Sequence, residues 1–209
     1  MDIHYSIKFH TDWHCGSGLA AGADVDALVV KDENGLPYIP GKTIKGLVRE
    51  AMSDIIGFRQ GCAPSSNNEI QVDDSSDFIT AFGYSGKLEY EEPKDEKEDY
   101  KLIKHGAAFF TNAELNEDEK SAIVKQGLAR FMYRSIASTA INENGIAVEH
   151  SLRKMEVTVP CTLEGNILNV PESLADDIID ALKYIKRLGQ NRNRGLGRCS
   201  ITAEKGGTK

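Results

Sequence analysis

Residues 35–49 read GLPYIPGKTIKGLVR. The tripeptide Gly41-Lys42-Thr43 has the ending of a Walker A phosphate loop, which also requires a glycine five residues before the Gly-Lys pair. That position is Leu36, and Gly35 stands one place out of register. Pro37 and Pro40 fall where such a loop needs backbone N–H donors, and proline has none. The stretch is therefore read as a stiff strand exit leading into a helix, not as a nucleoside-triphosphate site. From Thr43 to Ile56 the pattern is helical: Ile44, Leu47, Val48, Ala51 and Ile55 gather on one face. Lys42, Lys45 and Arg49 form a separate stripe within about 60° of one another. Positive side chains at a helix start oppose its macrodipole, so this placement favours an incoming anion such as a phosphate. A solvated basic edge is the competing reading.

Working outward, Ile3, Tyr5, Ile7 and Phe9 alternate along 3–9, the mark of a half-buried strand. Residues 11–24, TDWHCGSGLAAGAD, are too rich in glycine and alanine for anything but a loop, and 26–32, DALVVKD, read as a second strand ending at a turn. Residues 57–105 are polar, acidic and irregular, and read as an insertion or mobile region. A strand is expected at 107–111. An Asn-Gly turn at 144–145, flanked by alternating residues, signals a hairpin within 138–160, and 155–163 continues as a strand. Pro171 opens and Gly189 closes a second helix over 172–188, whose buried stripe is Leu174, Ile178, Leu182 and Ile185; a last strand covers 195–201. The order β, α, β, β, α, β gives an α+β fold: a ferredoxin-like (RRM-like) antiparallel sheet with two helices. One domain spanning 1–209 is expected.

Composition admits a nucleic-acid partner in spite of a net charge of −7. Residues 89–99, EYEEPKDEKED, hold seven acids and two lysines and so contribute −5 of that total, leaving −2 for the rest. Residues 186–198, KRLGQNRNRGLGR, hold five basic residues and no acid. Local fields decide whether a polyanion docks. No run approaches the roughly 18 apolar residues of a membrane helix, the opening MDIHYSIKFH lacks signal-peptide character, and the four cysteines form no CxxC pair. A reduced cytoplasmic setting, with no membrane partner, is the expectation.

Three stretches taken together, HCGSG at 14–18, DALVVKDENGLPYIPGKTIKGLVR at 26–49 and LGQNRNRGLGR at 188–198, resemble the RAMP superfamily of type III CRISPR effector complexes, specifically the repeated backbone subunit that coats the guide RNA. TAFGYSG at 80–86, FFTNAEL at 109–115 and TAINENGIAVEHSLRKMEV at 139–157 fit the same pattern. The resemblance implies guide CRISPR RNA and target RNA as ligands, with other RAMP subunits, a large subunit and further copies of the chain as neighbours. It implies RNA contacts from His14, Lys42, Lys45, Arg49, Arg192, Arg194 and Arg198, and a thumb-like hairpin at 139–153 that displaces a nucleotide. It also implies metal-dependent cutting of target RNA, with Mg²⁺ or another divalent ion at Asp26, because the spacing from Asp26 to Asp32 matches that of cleaving members. Asp24 is a second candidate. The alternatives are an acid that merely shapes the turn in a non-cleaving or capping subunit, and a free-standing guide-processing endonuclease, which would ordinarily use histidine. Trp13 and Tyr38 are candidate base-stacking residues, with core packing as the alternative. The remaining histidines and the cysteines show no zinc spacing.

Overall fold

A computed structural model describes residues 1–21, 24–59, 77–87 and 101–206. In chain order the elements are β1 (Ile3–Phe9), α1 (Gly41–Arg59), α2 (Asp77–Phe82), β2 (Gly83–Lys87), β3 (Lys101–His105), β4 (Phe109–Phe110), α3 (Glu117–Lys125), β5 (Tyr133–Ser138), β6 (Arg153–Thr158), β7 (Thr162–Leu168), α4 (Ala175–Tyr184) and β8 (Cys199–Lys205). The central sheet has the order β4-β7-β1-β8 and every pairing in it is antiparallel. With α1 following β1 and α4 following β7, this is the split βαβ arrangement expected of a ferredoxin-like domain. The alternation in β1 does what period-2 patterning requires: Ile3, Tyr5, Ile7 and Phe9 are buried. They join Ile44 and Val48 of α1, Leu163 and Ile167 of β7, and Ile178 and Leu182 of α4 in one hydrophobic cluster. Helix α1 packs on α4 and against β4, while α4 also covers β8.

Several boundaries differ from expectation, each for a physical reason. Residues 26–32 form no ladder; they are stitched down by isolated bridges, Gly16 to Val29, Ala27 to Met155 and Lys31 to Pro37. The expected strand at 155–163 is two strands in two sheets, broken at Pro160, which cannot donate to a ladder. Helix α4 is preceded by a 3-10 turn at Glu172–Leu174 and stops at Tyr184; Ile185 is already extended, so the buried stripe ends in an irregular segment. The last strand starts at Cys199, four residues later than expected, because 195–198 belong to the glycine-rich loop. Of the region read as an irregular insertion, α1 extends to Arg59, and α2 with the β2–β3 hairpin is ordered secondary structure. The acidic run 89–99 lies outside the described residues. Helix α3 was not expected. None of its residues is buried, so it leaves no apolar period, although Asn116 caps it by accepting from the Glu119 N–H and three acids fill its first turn.

The hairpin signal holds. β5 pairs with β6 from Tyr133–Thr158 to Ser138–Arg153. Residues 139–152 close the hairpin, with Gly145 at φ +76° and the Asn142 side-chain oxygen accepting from the N–H groups of Asn144 and Ile146. Among the described residues no helix is long and apolar enough to cross a membrane.

Candidate functional site

The strand directions bring the singled-out segments to one end of the sheet. Lys8 pairs with Thr162 and Phe9 with Cys199, so β1 finishes where β7 and β8 begin. The 10–40 loop, the exit from β6 and the glycine-rich loop before β8 therefore all emerge there. Helix α1 starts toward the same end, since its far end meets the start of α4 through an ion pair of Arg59 with Asp177 at 2.8 Å.

The start of α1 is not an open phosphate cradle. The Gly41 N–H, which a phosphate loop would aim at its ligand, donates to Asn112 Oδ1 at 3.0 Å, and the Thr43 N–H donates to the Pro40 carbonyl at 2.8 Å. Gly41 is needed for close approach: a Cβ there would lie 2.0 Å from the Phe110 carbonyl oxygen. Lys42 and Arg49 are exposed and Lys45 is half-buried. None has an acidic partner among the described residues.

The glycine-rich loop is pinned at its neck. Leu188 N–H donates to the Gly197 carbonyl at 2.9 Å, Gly197 N–H to the Asp12 carbonyl at 2.7 Å, and Gln190 N–H to the His14 carbonyl at 2.9 Å. A Cβ on Gly197 would sit 1.9 Å from the Leu188 carbonyl oxygen, and one on Gly189 would sit 2.4 Å from that of His14. Both glycines also have positive φ. Such a neck holds up a tip whose side chains are free: Arg192 and Arg194 in a 3-10 turn, and Arg198 beside the neck, are all exposed.

Asp26 lies against the base of the hairpin. Its N–H donates to the Lys154 carbonyl at 2.9 Å and its Oδ2 accepts from the Lys154 N–H at 2.7 Å. Asp24 pairs with the Lys154 ammonium at 3.2 Å. Glu156 fixes this segment from below: its carboxylate accepts from the Val29 N–H at 3.1 Å and the Lys31 ammonium at 2.8 Å, while its own N–H donates to the Ala27 carbonyl at 3.0 Å. Its carbonyl accepts from His14 Nδ1 at 2.6 Å. His14 is wholly buried beneath the glycine-rich loop, and its Nε2 has no hydrogen-bond partner among the described residues. Its visible work is to seat that loop. Trp13 is likewise buried, stacked on Phe9 at 4.5 Å, so core packing is its fate. Tyr38 is half-buried in a separate hollow beside Asn112 and Glu114.

Asp26 and Arg194 share one cavity of about 570 Å³, to which Arg153, Lys154, Gln190 and Asn191 contribute. A second hollow of about 700 Å³ is lined by Arg153, Arg192 and Arg194. Lys42, Lys45, Arg49 and Arg198 line neither. The α1 stripe begins beside β4 and the loop beside β8. These are the two outer strands of the sheet, about 14 Å apart at the usual strand spacing. The basic groups thus form two stations at one end rather than a single cluster. Sequence reading did not single out Arg153, Lys154, Gln190, Asn191 or Glu156. The first two sit on the expected hairpin, but nothing local shows that the 10–40 loop and the glycine-rich loop close on it there, and nothing local marks Glu156 as a hub. Among the described residues no group of three or more His, Cys, Asp or Glu is arranged to hold a metal. The acids present fit only an ion held by one or two carboxylates and completed by ligand phosphates, a common Mg²⁺ arrangement.

The family model of the RAMP superfamily matches residues 6–200. The chain belongs to the RAMP superfamily. Among solved structures, this RAMP chain is similar in fold to a chain in the cryo-electron microscopy structure of the Type III-B Cmr-beta bound to cognate target RNA. The TM-score is 0.63 at 10% identity, with 97% of each chain covered. Among curated proteins none matches. The family match spans the ferredoxin-like unit of β1, α1, β4, β7, α4 and the start of β8, and the β5–β6 hairpin falls between β4 and β7 in sequence.

Proposed function

We propose that this chain is a guide-RNA-binding backbone subunit of a type III CRISPR effector complex and that target RNA is cut beside Asp26. Its partners are guide and target RNA, further copies of itself along the RNA, other RAMP subunits and a large subunit. Membership of the RAMP superfamily and the likeness in fold to a chain of an RNA-bound Cmr assembly support the setting. The observation that carries the chemistry is the shared cavity at the base of the hairpin, which Asp26, Arg153 and Arg194 line together. Exposed arginines without acidic partners among the described residues grip a ribose-phosphate chain through charge, which gives affinity without sequence preference.

In the reaction we favour, a ribose 2′-hydroxyl attacks the adjacent phosphorus, the bond to the 5′ oxygen breaks, and a 2′,3′-cyclic phosphate and a 5′-hydroxyl result, the leaving oxygen taking its proton from solvent water. Asp26 would accept the hydroxyl proton through Oδ1, since Oδ2 is engaged by the Lys154 N–H. Arg194 and Arg153 neutralise charge growing on the phosphate oxygens. A divalent ion bound by Asp26 and the phosphate would supply Lewis-acid chemistry and further charge neutralisation. The Lys154 N–H also gives the second reading its footing. Asp26 already has a structural duty, so the same scaffold could hold RNA without cutting it, as a capping subunit would.

Asp26→Asn separates the two, because the amide oxygen still accepts from Lys154 while the charge is gone. The cleaving reading expects target cutting at the position served by this subunit to fall at least about 100-fold, within the range for loss of a general base, with guide binding unchanged. Unchanged cutting would leave the scaffold reading.

A further inference from the structure

Gly46 stands where a helix least needs a glycine. It is the sixth of the 19 residues of α1, inside both ends, and its φ is not in the left-handed region. Gly41 makes room for Phe110, but no described residue comes within 4 Å of where a Gly46 Cβ would stand. Glycine is the poorest helix former after proline. Neither conformation nor packing among the described residues therefore accounts for it. Its neighbours one turn away on the helix surface are Lys42 and Thr43 before it and Arg49 and Glu50 after it. Gly46, Lys42, Arg49 and Glu50 are all exposed. The bare turn thus lies inside the basic stripe, between two cations that have no acidic partner among the described residues.

Helical geometry gives this gap a size and a chemistry. The Cα atoms lie about 2.3 Å from the axis and side chains reach about 5–6 Å, so a missing side chain leaves a notch about 3 Å deep. A helical side chain covers the turn before its own Cα, and its absence bares the carbonyls of that turn. Each such carbonyl has two lone pairs, of which the helix uses one. The notch accordingly takes a hydrogen-bond donor, with Lys42 and Arg49 standing about 6 Å and about 4.5 Å away along the axis to take anions. A phosphodiester has no donor to offer. A ribose does, in its 2′-hydroxyl, and it carries a phosphate on either side.

Resting on the functional reading above, we propose that Gly46 seats one ribose of the guide RNA. The 2′-hydroxyl donates to a bared carbonyl of the first turn of α1, and the flanking phosphates lie on Lys42 and Arg49. The guide is chosen over the target because the target is cut beside Asp26, at the other station. Gly46 is thereby a specificity-determining residue: charge alone accepts any polyanion, whereas this notch asks for ribose. Glu50, the acid beyond Arg49, repels a phosphate that slides further along the helix.

The test measures guide-RNA affinity and urea unfolding of the full chain, unaltered and as Gly46→Ala and Gly46→Gln, two better helix formers that keep every cation. Both variants should raise the unfolding midpoint, alanine by about 0.3–0.5 M, which verifies their folding. Guide affinity should nonetheless fall by about 2- to 12-fold, the worth of one hydrogen bond. A guide with 2′-deoxyribose at each successive position should lose a similar factor with the unaltered chain at the seated position, and Gly46→Ala should show no further loss there. Unchanged affinity in both variants, or a midpoint that falls on Gly46→Ala, overturns the proposal. Fully additive alanine and deoxyribose losses at every position overturn the ribose assignment. A loss confined to target affinity, with guide affinity intact, overturns the choice of strand. If the unaltered chain fails to associate with RNA at all, the functional reading itself has failed, and that outcome is distinct from the others.

Discussion

Alanine at Gly197 and at Gly195 should have very different consequences, although the two glycines lie two residues apart in one loop. Gly195 has φ +90° and nothing within 4 Å of where a Cβ would stand, so Gly195→Ala meets backbone strain alone. A left-handed conformation costs a non-glycine residue about 1–2 kcal/mol, partly offset by about 0.4–1 kcal/mol because alanine also restricts the unfolded chain. The net loss is about 1 kcal/mol. Gly197 has φ +69°, and a Cβ there falls 1.9 Å from the Leu188 carbonyl oxygen, which is backbone and cannot rotate aside. The neck must open, and the bonds from Leu188 N–H to Gly197 and from Gly197 N–H to Asp12 are lost or weakened. At about 0.5–1.5 kcal/mol each, these raise the cost to about 2–4 kcal/mol. With a urea slope of about 2–3 kcal/mol per molar for a chain of this size, Gly195→Ala should lower the unfolding midpoint by about 0.3–0.5 M and Gly197→Ala by about 0.7–2 M. RNA affinity should follow the same order, because Arg194 and Arg198 flank the opened neck. Midpoints equal within about 0.2 M would refute the claim that this neck is closed by backbone packing.

Other expectations follow from the same contacts. Glu156→Gln removes the charge that holds Lys31 and weakens the bond to Val29, and should cost about 1–2 kcal/mol in denaturant unfolding; because the Asp26 segment loosens, target cutting should fall while guide binding stays. Arg134 on β5 is ion-paired with Asp12, whose side chain is 6% exposed. Arg134→Ala should cost about 1–3 kcal/mol by leaving a buried carboxylate without that partner, and adding Asp12→Asn should recover part of the loss in a double-mutant cycle. Burial pushes the Cys161 thiol up to about 12 and the Cys199 thiol up to about 11, from an ordinary 9.0. At pH 8 each therefore holds at least about 100-fold less thiolate than an exposed cysteine. Iodoacetamide should leave both unmodified in the folded chain, label both in urea, and gain on Cys199 as the pH rises toward 11; equal labelling of folded and unfolded chain at pH 8 would contradict this burial.

What the sequence made legible is what local patterning controls. The alternation of β1, the apolar stripe of α1, the Asn-Gly turn of the hairpin and the arginine-bearing loop each announce themselves, and the ferredoxin-like order follows from their succession. The role of Gly41 needed the structure, because its contact is with Phe110, almost 70 residues away, and no local signal distinguishes a glycine that turns from one that makes room. The 26–32 segment looked like a strand because its residues suit one, yet it joins no ladder and is held by isolated bridges and by the Glu156 carboxylate reaching across from β6. Helix α3 was silent because none of its residues is fully buried; only Ile123 leans on the core, too little to set an apolar period. His14 could be named from its motif, but not its burial under the loop, which depends on Gly16, Gly189 and Gln190 closing around it. The two basic groups were each visible, and their separation into two stations was set by which outer strand each one abuts.

The central claim is that this chain holds RNA by its phosphates, through exposed cations raised at one end of the sheet. The direct test is the affinity of the full chain for a labelled single-stranded RNA over a range of salt concentrations, compared with the Arg192→Ala, Arg194→Ala, Arg198→Ala triple variant. The account predicts that the logarithm of affinity falls linearly with the logarithm of salt, by about 0.7 per phosphate neutralised, and that the triple variant loses about two from that slope. A flat salt response, or a slope the variant leaves untouched, would contradict it.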